Sequence, residues 1–349
     1  MSTHEVIIVK IDNIEKHPNA DKLSIIKLFD GGFTAIVKTG DFKIGDLAIY
    51  IEPDYIVPPT PRFSFLDKPR IRCKRLRGVQ SQGLLLPVLE TDTEFTEGKD
   101  VMKLLEIVRF VPTQKAGKYL RTAGLVQSQK EISFSSSRTK APEALKNVKA
   151  YDIESIRKNI KAFTPGEEII ATEKIHGCNS RYTFLSTENK IFCGSREEWK
   201  ANSEDCLWWS ILDKNPWIET FCRANPDHIL YGETFGQVQD LKYGAGPSDI
   251  FFRVFDVLTS LSSEHVEDSS GWWDYSRLEE SFSQEQLCPV VYRGPFDFEI
   301  LQTLSLNNSL IPGANHLSEG IVIRPIVERK QFKHRVFFKL VSDKFLEKS

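Results

Sequence analysis

The stretch Glu168-Ile-Ile-Ala-Thr-Glu-Lys-Ile-His-Gly-Cys-Asn179 joins a short apolar strand pattern to a tight, polar turn. Lys174 ends the apolar run, and Gly177 lets the backbone turn behind it. A lysine in this position can attack a phosphoryl group only as the free amine. Its solution pKa is about 10.4, so about one molecule in a thousand is deprotonated at neutral pH, a gap of about 4 kcal/mol. Burial and neighbouring cations or a metal can close that gap, whereas a surface lysine between two strands is the simpler interpretation of this stretch alone.

Length and composition restrict the class of protein. The chain has 349 residues, 40% of them hydrophobic, so it can bury a core and is expected to hold two domains. The net charge of −2 does not indicate a nucleic-acid-binding protein, although a local basic cluster can still contact phosphates. Six scattered cysteines suit a reducing compartment, and neither a signal pattern nor a membrane-length apolar run is visible. We expect an intracellular monomer, cytoplasmic or nuclear, with no membrane partner.

The N-terminal part, residues 1–110, is dominated by short alternating apolar segments separated by Gly, Asp, Asn and Pro. This pattern predicts a small antiparallel barrel or sandwich. The segments are Glu5–Lys10, Lys22–Leu28, Phe33–Lys38, Leu47–Ile51 and Gly83–Val88.

The densest basic run of this part is Arg70-Ile-Arg-Cys-Lys-Arg-Leu-Arg77. Its cations suit contacts to nucleic-acid phosphates, which position a protein without specifying sequence. The alternative is a solvated edge strand whose charges prevent aggregation. The candidate nucleic-acid residues are Arg70, Arg72, Lys74, Arg75 and Arg77.

Residues 111–150 lose periodicity and are rich in Ser, Gln and basic residues, which predicts a linker. In the following segment, 152–161, Ile153, Ile156 and Ile160 recur at helical intervals, which predicts a helix capped by Asp152. This helix would open a second domain, 151–349. That domain is strand-rich with inserted helices, so the fold class is α+β.

Several stretches resemble motifs of a known family. Thr172–Asn179 is similar to the nucleotidyl-lysine motif of RNA ligases, which are covalent nucleotidyltransferases together with DNA ligases and mRNA capping enzymes. The further family elements follow in the family's order: Gly194–Arg196, Tyr231–Gly236, Phe252–Asp256, Ser318–Ile323 and Phe338–Phe345. His17–Lys22 resembles the loop of tRNA-binding OB-fold modules. An OB module ahead of the transferase domain resembles the RNA ligases typified by those of Deinococcus and Naegleria.

The resemblance implies an N-terminal OB-like β-barrel followed by a nucleotidyltransferase domain of antiparallel sheets with flanking helices. It implies a reaction in three steps with ATP and Mg²⁺ or Mn²⁺. Lys174 takes AMP from ATP, the AMP passes to a 5′-phosphate end, and a 3′-hydroxyl displaces it. The partner would be RNA or a nicked RNA-containing duplex.

The resemblance also implies roles for individual residues. Arg196 and Lys339 suit the phosphates, and Glu173 is placed to help read adenine. Asn179 suits the ribose or the reacting 3′ end. Phe255, with Phe252 as an alternative, suits stacking on adenine, and core packing competes for both phenylalanines.

Glu233 and Glu319 are implied to bind ribose hydroxyls or a divalent cation, directly or through water. A salt bridge to Arg324 or Arg196 is the alternative for either glutamate. His176 is a candidate metal contact, and it stands where DNA ligases and capping enzymes carry Asp.

The last motif departs from many relatives, which carry two lysines two residues apart. Lys339 is flanked at that spacing by Phe337 and Val341, so Lys344, Lys333 and Arg335 are the candidate substitutes. Two rival functions stay open. One is a GTP-using capping-type transferase, and the other is a non-catalytic RNA-binding factor built on the OB module.

Overall fold

The computed structural model describes residues 5–110, 139–203, 206–259, 271–331 and 334–348. These residues fall into two compact units. Unit 1 takes those within 1–113, 154–161 and 343–349, and unit 2 takes those within 114–153 and 162–342. The predicted linker, 111–150, lies outside the described residues as far as position 138. Within the described ranges, every helix is too short or too polar to cross a membrane.

Unit 1 is built from short antiparallel strands. They pair in the orders β1-β5-β9, β2-β3-β4, β6-β10 and β7-β8 once numbered along the chain. The strands are β1 (Ile7–Lys10), β2 (Glu15–Lys16), β3 (Leu23–Leu28), β4 (Phe33–Lys38), β5 (Leu47–Ile51), β6 (Tyr55–Ile56), β7 (Lys74–Leu76), β8 (Val79–Ser81), β9 (Leu84–Pro87), β10 (Val108–Arg109) and β11 (Glu154–Ser155). All five segments predicted from alternation form strands.

The central strand β5 is apolar on both faces because it divides the core of unit 1. Ala48 and Tyr50 pack into one buried cluster, and Ile49 and Ile51 pack into another. Successive side chains of a strand point to opposite faces, so five consecutive apolar residues serve two clusters.

The helix predicted over 152–161 is wrong. Two 3-10 turns form instead, at Ile156–Lys158 and Ile160–Ala162. The Arg157 side chain is buried within unit 1, where its guanidinium donates to Asp343 Oδ1 at 2.7 Å. This tertiary contact outweighs the weak local preference for helix.

In its described residues, unit 2 has two large antiparallel sheets, the small β20–β21 hairpin and helices, as the α+β prediction required. The strands of the first sheet lie in the order β15-β14-β13-β16-β17, and those of the second in the order β22-β19-β12-β18. The strands are β12 (Glu168–Lys174), β13 (Cys178–Leu185), β14 (Lys190–Gly194), β15 (Trp199–Lys200), β16 (Ile229–Gly236), β17 (Ile250–Leu258), β18 (Val290–Pro295), β19 (Gly320–Pro325), β20 (Lys330–Gln331), β21 (His334–Arg335) and β22 (Phe338–Val341). The helices are α1 (Leu207–Lys214), α2 (Pro216–Ala224), α3 (Tyr275–Ser281) and α4 (Phe298–Leu304), and α5 (Asp343–Lys348) belongs to unit 1.

Strand register brings distant motifs of unit 2 together. Lys174 at the end of β12 pairs with Gly320 at the start of β19, and Asn179 of β13 pairs with Glu233 of β16. The turn between β12 and β13 runs so close to β16 that a Cβ on Gly177 would lie 2.2 Å from the Thr234 carbonyl oxygen. Only glycine fits there, so Gly177 fixes the path of the turn after Lys174.

Candidate active site

A cavity in unit 2 opens where these strand ends meet. It is lined by seven of the residues that the sequence proposed for nucleotide binding: Glu173, Lys174, Asn179, Arg196, Glu233, Phe255 and Lys339. Each comes from a strand or from the end of one, and the pairing described above brings them to one place. These side chains therefore lie around one cavity.

Lys174 lies in a cluster of charges at this cavity. Its Nζ is 2.7 Å from Glu319 Oε1, and the other carboxylate oxygen of Glu319 is 3.1 Å from His176 Nδ1. The Lys174 and Glu319 side chains are only 23% and 13% exposed. Their attraction is thus screened by water far less than that of a surface pair.

This cluster sets the charge of the lysine. Burial lowers the pKa of Lys174, but the carboxylates of Glu319 and Glu233 outweigh it and raise that pKa above its usual value. Burial also raises the pKa of Glu233, to about 8, while Lys174 pulls it down. For Glu319, the partners Lys174 and His176 overcome burial and hold the pKa at about 2. Near neutral pH Glu319 is therefore an anion beside Lys174, and the lysine rests as an ammonium ion.

The salt bridges considered as alternatives for the two glutamates do not form. Arg324 lies 3.5 Å from Asp256 and also pairs with Glu328, and Arg196 lies 2.7 Å from Glu197. Glu319 instead serves the lysine and the histidine.

The donor set favours a loosely held divalent cation over a preformed metal cage. Among the described residues, no group of three or more His, Cys, Asp or Glu side chains is arranged to hold a metal ion. Mg²⁺ and similar ions accept one or two carboxylates, with waters and substrate phosphates completing the shell. Glu233 and Glu319 fit that requirement, and His176 faces Glu319.

Among the described residues of the cavity, one carboxylate oxygen and one amide oxygen are buried without partners in the protein, as is the Tyr275 hydroxyl. Glu173 Oε2 accepts a hydrogen bond of 2.7 Å from the Leu310 backbone nitrogen, whereas its Oε1 has none. Asn179 Oδ1 is also buried without a hydrogen bond. Buried polar atoms are nearly always paired, so both acceptors fit a ligand that offers N–H and O–H donors, such as the amino group and hydroxyls of a nucleoside.

A β-bulge separates the two candidate aromatic platforms. Tyr231 pairs with Asp256 and Gly232 with Val254, which leaves Phe255 as the extra residue of β17. Phe255 lines the cavity. Phe252 is buried in the core, with its ring 5.5 Å from that of Tyr182. Phe252 is therefore a core residue, whereas Phe255 lines the cavity and is partly buried against neighbouring core clusters.

Lys339 lies opposite Val322 in the β19–β22 pairing, and both residues line the cavity. Among the candidates for the second lysine, Arg335 is held by Asp256 and Glu328. Lys344 stands on α5 in unit 1, and Lys333 lies outside the described residues.

The cavity residues that sequence reasoning missed include Tyr151 and Cys288. The Tyr151 hydroxyl donates to Asp256 Oδ2 at 2.7 Å, and its ring lies 5.0 Å from that of Phe255. Neither residue belongs to a motif or a periodic pattern, so the sequence carried no signal for them.

The cations of the basic run in unit 1 differ in their surroundings: some are paired within the unit, and others are exposed. Arg70 donates to Asp54 Oδ1 at 2.6 Å and stacks 3.7 Å over the Phe110 ring, so it is occupied within the unit. Arg75 lies 3.0 Å from Glu347. The remaining members of the run are exposed on and beside the β7–β8 hairpin: Arg72, Lys74 and Arg77.

Comparisons with known proteins agree with this architecture. A family model described as RNA ligase matches residues 167–341, and a model of an OB-fold domain matches residues 5–88. The predicted order of an OB-fold domain followed by a ligase domain is thereby confirmed.

Solved structures with the same fold include an apo mutant of an RNA ligase from Naegleria gruberi, with 20% identity, a TM-score of 0.76 and 99% of each chain covered. A mutant of the Naegleria gruberi RNA ligase with ATP and Mn has 19% identity, a TM-score of 0.75 and the same coverage. At this identity the likeness shows the fold.

Curated relatives match a stretch of about 80 residues of this chain. The phenylalanine–tRNA ligase beta subunit of Leptospira interrogans is 42% identical over 82 residues, which is 23% of this chain. That of Leptospira borgpetersenii is 38% identical over 81 residues. The chain spans 9% of the length of these relatives.

Proposed function

Because the chain belongs to the RNA ligase family, we propose that it is an ATP-dependent enzyme that joins a 3′-hydroxyl RNA end to a 5′-phosphate end. The expected substrate is RNA with a nick in a duplex, and the expected role is RNA repair. The observation that supports the proposal most strongly is the placement of Lys174. This half-buried lysine lies beside Glu319 and Glu233 in a cavity where Glu173 Oε1 and Asn179 Oδ1 lack partners.

In the first step, the neutral amine of Lys174 attacks the α-phosphorus of ATP. The N–P bond forms, the bond to the β-phosphate oxygen breaks, pyrophosphate leaves, and the nitrogen gives up its remaining extra proton to solvent. Phosphoryl transfer depends on holding these groups in line and balancing negative charge. Arg196 and Lys339 are the cavity cations suited to that task.

Lys174 must first lose the proton that Glu319 and Glu233 stabilise. A divalent cation, Mg²⁺ or Mn²⁺, held by these two carboxylates together with ATP would supply positive charge at this point and lower the pKa of the lysine. A mutant of the Naegleria gruberi RNA ligase has been solved with ATP and Mn, which agrees with this requirement.

The nucleoside is recognised by the remaining lining residues. Phe255 offers a face for stacking on adenine. Glu173 Oε1 accepts from the adenine amino group, and Asn179 Oδ1 accepts from a ribose hydroxyl. These contacts would satisfy both of the unpartnered acceptors.

The second step moves AMP from Lys174 to a 5′-phosphate: a phosphate oxygen attacks the AMP phosphorus, the N–P bond breaks, and the Lys174 nitrogen takes up a proton from solvent and leaves as the amine. In the third step, the 3′-hydroxyl gives its proton to solvent and its oxygen attacks the 5′-phosphorus, while the bond to AMP breaks and AMP leaves. Unit 1 would hold the RNA, because it matches an OB-fold domain and exposes Arg72, Lys74 and Arg77.

The direct test is incubation with α-labelled ATP, followed by denaturing electrophoresis. We expect a labelled wild-type band and none for Lys174→Ala. Lys190→Ala, which changes an exposed lysine of β14, serves as the matched control and should label normally. Label on Lys174→Ala would contradict the assignment.

The same experiment separates the rival functions. Labelling by GTP instead of ATP would indicate a capping-type transferase. Absence of any covalent nucleotide, with RNA binding unchanged in Lys174→Ala, would indicate a non-catalytic RNA-binding factor.

A further inference from the structure

The segment between β16 and β17 holds the turn that follows Lys174. Tyr243 in this segment is buried, with 1% of its surface exposed. Its hydroxyl oxygen accepts a hydrogen bond of 2.6 Å from the backbone nitrogen of His176. A second contact reaches the other side of Gly177, where Gln239 Nε2 lies 3.5 Å from Cys178 Sγ. The turn is therefore held by one contact on each side of Gly177.

Tyr243 is itself tightly fixed. Its backbone nitrogen lies 3.3 Å from His316 Nε2, and its ring meets His316 and Phe235 nearly edge-on, at 4.6 and 5.0 Å. Its φ of +53° is a left-handed conformation, which costs a residue with a Cβ about 1 kcal/mol or more. Beside it, a Cβ on Gly244 would lie 2.5 Å from the Gly313 carbonyl oxygen. The local backbone is thus strained and closely packed around one hydroxyl.

The Tyr243 hydroxyl holds the backbone of His176, and this backbone positions two partners of Glu319, namely His176 and Lys174. His176 Nδ1 lies 3.1 Å from one Glu319 oxygen, and Lys174, two residues earlier, lies 2.7 Å from the other. A shift of the His176 backbone would move both contacts together. Small displacements of a reacting group cost up to about 100-fold in rate.

We propose that Tyr243 is a positioning residue for the nucleophile, and that its hydroxyl holds the turn in the geometry that Lys174 needs to attack ATP. The inference rests on the proposed function and concerns its first step. Joining a strand that already carries AMP does not use the Lys174 amine as a nucleophile, so that reaction depends on Tyr243 far less.

The test is Tyr243→Phe, which removes one oxygen and keeps the ring. In single-turnover experiments at saturating ATP, we expect protein adenylylation to slow by about 10- to 100-fold with the KM for ATP unchanged. Sealing of a chemically pre-adenylylated RNA strand should keep the wild-type rate. Equal losses in both reactions would overturn the inference, because they would show a general structural role.

Tyr182→Phe is the matched control. The Tyr182 side chain is also fully buried in unit 2, and its hydroxyl donates to the Trp208 carbonyl oxygen at 3.0 Å. It should adenylylate at the wild-type rate, and equal slowing of this variant would overturn the inference. Wild-type protein that takes no label would overturn the proposed function and the inference together, whereas equal labelling of wild type and Tyr243→Phe would overturn only the inference.

Discussion

Lys174 Nζ and Glu319 Oε1 lie 2.7 Å apart at the end of β12, so the proposed nucleophile rests as an ammonium ion held by a carboxylate. This pairing orients the amine, but it also keeps the amine protonated, and a protonated amine cannot act as a nucleophile. Reaction with ATP therefore requires the charge around Glu319 to change when substrate binds.

The first prediction concerns pH. Because the pKa of Lys174 is raised, the free amine is scarce near neutral pH and grows about tenfold per pH unit below that pKa. Adenylylation should rise with pH in the same range. Glu319→Gln removes the largest raising influence, so the pH–rate curve should shift to lower pH even though the maximal rate falls.

Single-turnover labelling at a series of pH values measures this shift. Glu168→Gln is the control, because Glu168 is exposed at the opposite end of β12. A Glu319→Gln curve that coincides in pH with that of the control would contradict the pairing as the cause.

The second prediction concerns stability. Burial raises the pKa of Glu233 to about 8, so the folded protein binds this proton more tightly than the unfolded chain does. The stabilisation is complete below about pH 4 and is lost as the pH rises through about 8. Glu233→Gln imitates the protonated acid, so its free energy of unfolding should exceed that of wild type by about 1–3 kcal/mol at pH 9, with much of the difference gone at pH 5.

Urea unfolding of the substrate-free protein at both pH values provides the measurement. The exposed Glu188 of unit 2, changed to Gln, is the control and should show no such pH-dependent gain. Loss of stability in Glu233→Gln at pH 9 would refute the prediction.

The third prediction separates two phenylalanines of β17. Phe255→Ala should weaken ATP binding by about 5- to 150-fold, since stacking a base on an aromatic ring contributes about 1–3 kcal/mol. Phe252→Ala should leave the nucleotide contacts in place but lower the free energy of unfolding by about 3–5 kcal/mol. Calorimetric ATP titration and urea unfolding of both variants measure the two effects, and the reverse pattern would exclude Phe255 as the platform.

The fourth prediction concerns RNA binding by unit 1. Changing Arg72, Lys74 and Arg77 together to Gln should flatten the slope of log K against log salt by about 0.7–0.9 for each phosphate that the variant no longer binds. Arg70→Gln should instead destabilise unit 1, because Arg70 is bound to Asp54 and stacked on Phe110. An unchanged slope in the triple variant would favour the solvated-strand interpretation.

The resemblance to RNA ligases, which rests on motifs with visible strand patterns, implied that these residues share one site. Lys174, Glu233 and Lys339 all line one cavity. The charge state of Lys174 was beyond sequence reasoning. It depends on which carboxylate reaches the lysine, and the sequence left a salt bridge of Glu319 to Arg324 or Arg196 open as an alternative.

Other features were hidden because they are purely tertiary. Tyr151 and Tyr243 belong to no motif, and their roles arise from single hydroxyl contacts, to Asp256 and to the His176 backbone. For the segment 152–161, by contrast, the sequence carried a clear pattern, but the prediction made from it was wrong. Its isoleucine spacing favoured a helix, but the burial of Arg157 against Asp343 decided the backbone.

The Arg157–Asp343 pair also determines when unit 1 can be completed while the chain is being synthesised. Arg157 is 4% exposed, and the carboxylate it binds within unit 1 lies 186 positions further along the chain. A ribosome adding about 5–20 residues per second would need on the order of 10–40 seconds to reach that aspartate. Until then a nascent chain holds a guanidinium without its counter-ion, so unit 1 starts first and is finished last, after the catalytic domain has been translated.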